Sequence, residues 1–123
     1  MKTKFRAWDI RKNVMREVVV LHFNEASNIS GASYWSEDME LKSLHGKYIK
    51  LMQYANLNDS EGTEIYKGDI GWDDVRERYG NVDFIDGKFC YISENDYEDL
   101  CEVCNDIVII GNVHENKALL EGE

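Results

Sequence analysis

The clearest local signal in this chain lies between residues 81 and 92, where two short alternating stretches flank the dipeptide Asp86-Gly87. An Asp-Gly pair favours the type I′ turn, whose twist matches that of two antiparallel strands. The segment therefore predicts a β-hairpin. It also favours a fold in which antiparallel strands dominate.

A second hairpin is predicted at the N-terminus. Residues 3–8 and 14–23 are rich in Phe, Trp and Val, and the polar stretch 9–13 separates them. The second of these strands carries apolar side chains on both faces, so we expect it to be covered on both sides. Residues 24–35, dominated by Asn, Ser, Gly and Ala, predict a loop.

Further strands are predicted at residues 47–54 and 106–113. A dense turn signal at 56–62 follows the first of them. The segment 64–72 contains two glycines, which indicate a bulge or a tight bend of the kind that small barrels use to turn a corner.

Three short helices complete the predicted elements. Ser36 is placed to cap a helix over residues 37–44, and Ser93 to cap an acidic helix that ends at Cys104. Residues 115–121 predict a terminal helical turn. The fold class is therefore expected to be α+β, with strand hairpins forming a small, mostly antiparallel sheet or SH3-like barrel and two or three short helices.

The 123 residues suit one domain. We expect a single domain over 1–123, with an N-terminal hairpin at 3–23, the loop at 24–35 and a barrel-like C-terminal part at about 47–113. No apolar run approaches the roughly 20 residues that cross a bilayer, and the N-terminus does not resemble a secretory signal. We therefore expect a cytoplasmic protein with no membrane contact.

Charge is distributed unevenly along this acidic chain, whose formal net charge is −10. The basic segment 1–16 holds a single acid, whereas the segment 93–106 holds acids and no base. The bases are Lys2, Lys4, Arg6, Arg11, Lys12 and Arg16, and the acids are Glu94, Asp96, Glu98, Asp99, Glu102 and Asp106. Two such poles can attract each other between subunits, but we favour the simpler interpretation, which is two solvated faces.

The sequence carries no catalytic motif. It has no P-loop, no G-x-G-x-x-G and no G-x-S-x-G, and its three histidines are scattered. We therefore expect no enzyme, no catalytic residue and no cofactor.

Cys101 and Cys104 form a C-x-x-C pair, which serves redox chemistry or half of a zinc site. A zinc site is an alternative only if Cys90 and His114 complete it. We favour reduced thiols that pack as small apolar side chains, because an acidic helix disfavours thiolates.

Three stretches stand in the order and separation of one known family: Lys4 to Asp9, Leu51 to Ile70, and Val108 to Asn116 followed by Leu119-Leu120. They resemble the YopX-like family of phage and prophage proteins over nearly the whole chain. The chain departs from that pattern in three places. Family members tend to have Thr-Gly at Ala55-Asn56, Pro at Lys117 and aliphatic residues at Gly71-Trp72.

The resemblance implies an accessory protein of a temperate phage or prophage that self-associates as a trimer or larger ring, with no assigned chemistry. Its motifs supply our candidate interface or structural residues: Trp8, Asp9, Gln53, Tyr54, Tyr66, Gly68, Asp69, Gly111 and Asn112. We favour a structural role for the central motif. Gly62 and Gly68 suit positive φ angles, and Asp69 suits accepting backbone amides in a bend.

The leading functional hypothesis is a self-associating protein–protein interaction module that also engages an unknown phage or host protein. Nucleic-acid binding by the basic N-terminal hairpin is the alternative, with Phe5 and Trp8 available for stacking. The net charge opposes it, because phosphate affinity comes mostly from Lys and Arg. A related variant is an acidic DNA mimic that inhibits a host enzyme.

Overall fold

The computed structural model describes residues 1–94 and 96–121, and most of this part of the chain is β-structure. The strands of the described residues are β1 (Phe5–Asp9), β2 (Val14–Glu17), β3 (Val20–Phe23), β4 (Ile29–Trp35), β5 (Leu41–His45), β6 (Ile49–Asn58), β7 (Glu64–Tyr66), β8 (Asp69–Asp73), β9 (Arg78–Ile85), β10 (Lys88–Ser93), β11 (Asp96–Asp99) and β12 (Ile107–Asn112). Helical structure in this part of the chain is limited to one α-helical turn, α1 (Leu100–Val103), and three 3-10 turns at Gly46–Tyr48, Cys104–Asp106 and Lys117–Leu119.

The chain forms two compact units. The N-terminal unit is Thr3–Gln53, and the C-terminal unit combines Met1–Lys2 with the chain from Tyr54 onward. Strand β6 continues from one unit into the other. Its first half pairs with β1 and its second half with β7.

The N-terminal unit contains two antiparallel sheets. Strands β2, β1 and the first half of β6 lie side by side, and β3, β4 and β5 form a separate three-stranded sheet. A small core joins apolar side chains from these strands, with Leu21, Ala32 and Leu44 aligned across the three-stranded sheet. The other members are Ala7, Val18, Ile49 and Leu51.

The C-terminal unit is built on a five-stranded antiparallel sheet in the order β11-β10-β9-β8-β12, which curves into a half barrel. Its core contains Tyr91, whose ring is fully buried and whose hydroxyl donates to the carbonyl of Gly71 at 2.9 Å. The remaining core side chains are Ala55, Leu57, Ile65, Val82, Phe89, Leu100, Val103, Cys104, Ile107 and Ile109.

The β9–β10 hairpin confirms the strongest sequence signal. Asp86 and Gly87 both have positive φ angles, 51° and 86°, as a type I′ turn requires. Strand β12 confirms the predicted C-terminal strand, and β1 with β2 confirms the N-terminal hairpin. Gly68, at a φ of 91°, makes the predicted bend in the segment 64–72.

The α+β class was wrong in its helical part: the fold is β-rich, mostly antiparallel and only partly barrel-like. The predicted helix at 37–44 is a turn followed by β5, and the predicted loop at 24–35 contains β4. Ser36 does cap locally, since its hydroxyl accepts from the amide of Glu40 at 3.2 Å, but it caps a turn between two strands.

Two other elements also differ from expectation. The predicted acidic helix from Ser93 to Cys104 is replaced by β11 and the single turn α1, because residues 96–99 pair with β10. The predicted strand 14–23 divides into β2 and β3, and it is not covered on both sides, since Phe23 remains 60% exposed. The terminal helical turn is reduced to a 3-10 turn.

Asn56 explains one departure from the family pattern. Its φ is +61°, a conformation that glycine adopts freely and asparagine tolerates. Its side-chain amide also pairs with the backbone of Lys2, accepting from the Lys2 amide at 2.8 Å and donating to the Lys2 carbonyl at 2.9 Å. The predicted turn at 56–62 begins later than expected, because β6 continues to Asn58.

Candidate functional site

Most of the nine candidate interface or structural residues bond the backbone or pack inside their own unit. Trp8, Asp9 and Gln53 lie in the N-terminal unit, and the other six lie in the C-terminal unit. Trp8 is 7% exposed and Asp9 is 1% exposed. Asp9 ends β1, where its Oδ1 accepts from the amides of Arg11 and Lys12 at 3.1 and 3.3 Å.

The Gly-Asp-Ile motif forms the bend between β7 and β8. Asp69 is fully buried and its Oδ2 accepts from the amide of Tyr66 at 2.7 Å, as the sequence predicted. Gly68 donates its amide to the carbonyl of Val82 and accepts from the amide of Val113. The bend therefore fastens neighbouring strands together.

Tyr54 and Tyr66 lie opposite each other on β6 and β7, and their ring centroids are 5.5 Å apart. Both rings are buried. Tyr54 also donates to Oδ1 of Asn58 at 3.0 Å. This aromatic pair packs within the C-terminal unit.

Gly111 and Asn112 organise the end of β12. Oδ1 of Asn112 accepts from the amides of His114 and Glu115, and its Nδ2 donates to Oε2 of Glu115 at 2.8 Å. A Cβ on Gly111 would overlap the side chain of Asn116, so a larger residue would displace the Asn116 carboxamide that accepts from the Asn112 amide. His114 thus lies within a hydrogen-bonded turn.

The cysteines are free thiols in different environments. Cys90 and Cys104 are buried and Cys101 is exposed. Burial raises the pKa of Cys104, opposite to the shift that activates a redox cysteine. Within residues 1–94 and 96–121, no three His, Cys, Asp or Glu side chains are grouped to hold a metal ion.

The most exposed apolar surface of the N-terminal unit lies on the three-stranded sheet, on the side away from the core. We call this side the outer face. Its strand residues are Val20, His22, Phe23, Ile29, Gly31, Ser33, Trp35, Leu41, Ser43 and His45. Trp35 and Leu41 are direct cross-strand partners and are 54% and 51% exposed.

A short hydrogen-bonded chain crosses the centre of the outer face. His22 Nε2 lies 2.7 Å from the hydroxyl of Ser33, which lies 2.6 Å from the hydroxyl of Ser43. Ser33 is 1% exposed. The polar groups at the centre of this face thus satisfy one another, and the large apolar side chains surround them.

The outer face was missed by sequence reasoning because residues 24–35 were assigned to a loop. The strand signal in this stretch is limited to its ends, where Ile29, Tyr34 and Trp35 are residues that favour strands. Ala32 is the residue that packs into the core. Small residues at the centre of the stretch concealed its strand character.

A second surface lies in the C-terminal unit, around a cluster of carboxylates and two arginines. Asp73, at the end of β8, is fully buried. Its Oδ1 accepts from the amides of Val75 and Arg76, and its Oδ2 accepts from the side chains of Arg76 and Arg78 at 3.1 and 3.2 Å. Burial alone would raise the pKa of Asp73, but these hydrogen bonds outweigh it and lower the pKa.

The two arginines extend this cluster to other carboxylates. Arg76 also contacts Asp106 at 3.3 Å. Arg78 pairs with Glu98 and lies 3.9 Å from Asp96. Burial by itself would lower the pKa of Arg78, and its partners Glu98 and Asp73 raise it instead.

A cleft of about 660 Å³ opens beside Arg78. Strand ends of β9, β10 and β11 and the C-terminal 3-10 turn line it. The lining residues are Glu77, Arg78, Tyr79, Asn81, Ile92, Ser93, Glu94, Asp96, Leu119 and Leu120. The cleft therefore combines apolar side chains with an acidic rim, and we call it the acidic cleft.

The family model described as YopX protein matches residues 4–121. The chain belongs to the YopX family. Among solved structures, this YopX-family protein is similar to one described as the crystal structure of protein EF1440 from Enterococcus faecalis. The TM-score is 0.73, with 24% identity over 98% of this chain and 99% of that chain. This likeness shows the fold.

A search of curated proteins found no match for this YopX-family protein. In the described residues no helix is long and apolar enough to cross a membrane.

Proposed function

We propose that this YopX-family protein is a self-associating protein–protein interaction module, encoded by a phage or prophage and acting in the cytoplasm of the bacterial host. It binds and assembles rather than catalyses. The observation that carries this proposal is the outer face, an apolar sheet surface whose strand residues include no Asp, Glu, Lys or Arg.

The chain as a whole is strongly charged. Charged residues make up 31% of it, and its net charge of −10 opposes the approach of two copies. The strand residues of the outer face include no Asp, Glu, Lys or Arg. This is therefore a surface through which two copies can meet without like-charge repulsion.

The side chains on this face suit packing against a second sheet. Trp35, Leu41 and Phe23 each leave half or more of their surface exposed, and Val20 and Ile29 are about as exposed at 41% and 40%. Exposed apolar patches of this kind typically mark interaction sites. Two such faces pack roughly 10 Å apart, and a face that meets its own copy forms a two-fold interface.

The nucleic-acid alternative has less structural support. Trp8 is buried, so it is not available to stack on a base. Arg16 lies 3.4 Å from Asp9 and its guanidinium carbon is 4.4 Å from the centre of the Tyr34 ring. Self-association therefore remains the better-supported function, with an unknown phage or host protein as a further partner.

Light scattering coupled to size exclusion tests the proposal. The wild type is expected to elute as an oligomer in low and high salt, because burial of apolar surface resists screening. The double variant Trp35→Ser, Leu41→Ser is expected to dissociate at least about tenfold more readily, because two large apolar contacts are lost.

The matched control is Val75→Ser, Phe84→Ser, which removes two comparably exposed apolar side chains from the C-terminal unit. This control is expected to assemble as the wild type does. A wild-type protein that is monomeric at every concentration and salt would sink the proposal. If both double variants lose assembly equally, the outer face is not the surface through which the copies associate.

A further inference from the structure

We infer that the acidic cleft receives the β1–β2 turn of a second copy of this chain. The inference rests on the proposed self-association and deepens it, because it names a site on one copy and the segment of the other copy that fills it. The cleft supplies carboxylates around an apolar floor, and the turn supplies two cations beside an isoleucine.

The carboxylates of the cleft are available for a new cation. Arg78, the basic residue of its lining, is already bonded to Asp73 and Glu98. Among the described residues neither Glu77 nor Glu94 has a cationic partner within ion-pair distance. Asp96 lies 3.9 Å from Arg78, so the negative charge left without a cation among the described residues is that of Glu77 and Glu94.

The apolar part of the cleft comes from different elements. Leu119 and Leu120 belong to the C-terminal 3-10 turn, and Ile92 and Tyr79 come from β10 and β9. A volume of about 660 Å³ lies within the roughly 300–1,000 Å³ of clefts that enclose small ligands. Such a space takes a few side chains of a protruding turn.

The β1–β2 turn protrudes in a fixed conformation. Asp9 accepts from the amides of Arg11 and Lys12, the amide of Asn13 donates to the carbonyl of Asp9 at 2.8 Å, and the amide of Ile10 donates to the carbonyl of Tyr48 at 2.9 Å. A turn that is already ordered loses little conformational entropy when it binds. The backbone is thus held. Lys12 is exposed, and Arg11 is exposed with its guanidinium carbon 4.6 Å from the centre of the Tyr48 ring.

The side chains of the β1–β2 turn complement the cleft in charge and in apolar character. Arg11 and Lys12 are exposed, and Ile10 is 41% exposed. The exposed turns after β4, β6 and β9 are acidic instead, with Glu37 and Asp38, Glu61, and Asp86. The β1–β2 turn therefore presents adjacent cations and an exposed apolar residue, whereas those three acidic turns would be repelled by the cleft.

A charge-swap experiment tests this contact. Arg11→Glu, Lys12→Glu alters the turn, and Glu77→Lys, Glu94→Lys alters the cleft; all four side chains are exposed. Each double variant alone is expected to self-associate at least about tenfold more weakly than the wild type in sedimentation velocity at low salt. Circular dichroism checks that both are folded.

An equimolar mixture of the two variants is expected to recover association, because a lysine-bearing cleft meets a glutamate-bearing turn. Added salt is expected to weaken this contact, in contrast to the apolar outer face. The control Lys50→Glu, Lys67→Glu makes the same change in net charge as the turn variant, at exposed positions elsewhere. This control is expected to associate as the wild type does.

The outcomes separate this inference from the proposed function. A monomeric wild type overturns both. Oligomers that tolerate Arg11→Glu, Lys12→Glu, or folded variants that do not recover association on mixing, overturn the inference and leave the outer-face proposal standing.

Discussion

The β1–β2 turn of the N-terminal unit and the β8–β9 turn of the C-terminal unit are organised by the same type of hydrogen bonding. Each begins at a buried aspartate at the end of a strand, Asp9 or Asp73, whose Oδ1 accepts from the amides two and three residues further on. In each, Oδ2 faces arginine. This is the side-chain-to-backbone bonding by which aspartate organises a turn.

The two turns differ in what surrounds the aspartate. Oδ2 of Asp73 accepts from Arg76 and Arg78 at 3.1 and 3.2 Å, whereas Oδ2 of Asp9 accepts from Arg16 at a longer 3.4 Å. The arginines of the C-terminal turn continue to further carboxylates, so that turn is cross-linked to other strands. The N-terminal turn is fixed in shape and leaves Lys12 exposed at its tip, beside Arg11, whose guanidinium carbon lies 4.6 Å from the centre of the Tyr48 ring.

The largest effect is expected from Asp73→Ala. It leaves two part-buried backbone amides and two guanidiniums without their acceptor, which should lower the free energy of unfolding by about 3 kcal/mol. Urea unfolding measures it, with the exposed neighbour change Asp74→Ala as the control. A cost no larger than that of the control would contradict the role of Asp73 as the centre of the cluster.

Asp9→Ala is expected to cost less, about 2 kcal/mol, because fewer charged donors lose their partner. The same urea experiment applies, with exposed Asp38→Ala as the control. If Asp9→Ala proves more costly than Asp73→Ala, the contrast between the two turns is wrong.

The smallest expected effect is on the pH dependence of the free energy of unfolding, to which Asp73 in the β8–β9 turn contributes. The pKa of Asp73 is lower in the folded state, so its contribution is complete above the unfolded-state pKa of about 3.9 and is lost as the pH falls through the folded-state pKa. Wild type should therefore lose stability more steeply on acidification than Asp73→Asn, while Asp74→Asn should follow the wild type. Parallel pH curves for wild type and Asp73→Asn would exclude this contribution.

Local chemistry accounts for what the sequence could predict. Asp86-Gly87 specifies its own turn, and Gly68 with Asp69 specifies the bend between β7 and β8, because each needs only nearby backbone. The family was recognised from stretches that contain such turns.

Long-range pairing accounts for what the sequence could not predict. Residues 96–99 became β11 because they pair with β10 and because Glu98 meets Arg78, twenty residues away. Strand β4 depends on contacts of Ala32 and Ser33 with other strands. The outer face and the acidic cleft both arise from such contacts, so neither was visible as a motif.

Asn56 shows how a side chain can act as an extra length of backbone. Its amide group donates to and accepts from Lys2 as a neighbouring strand would, while its own φ is one that glycine also adopts. Replacing Asn56 with glycine would therefore leave the backbone path of β6 unchanged. It would remove the two hydrogen bonds that hold Lys2. At this position, a residue that looks like a tolerated substitute for glycine also fixes the backbone of Lys2 against β6.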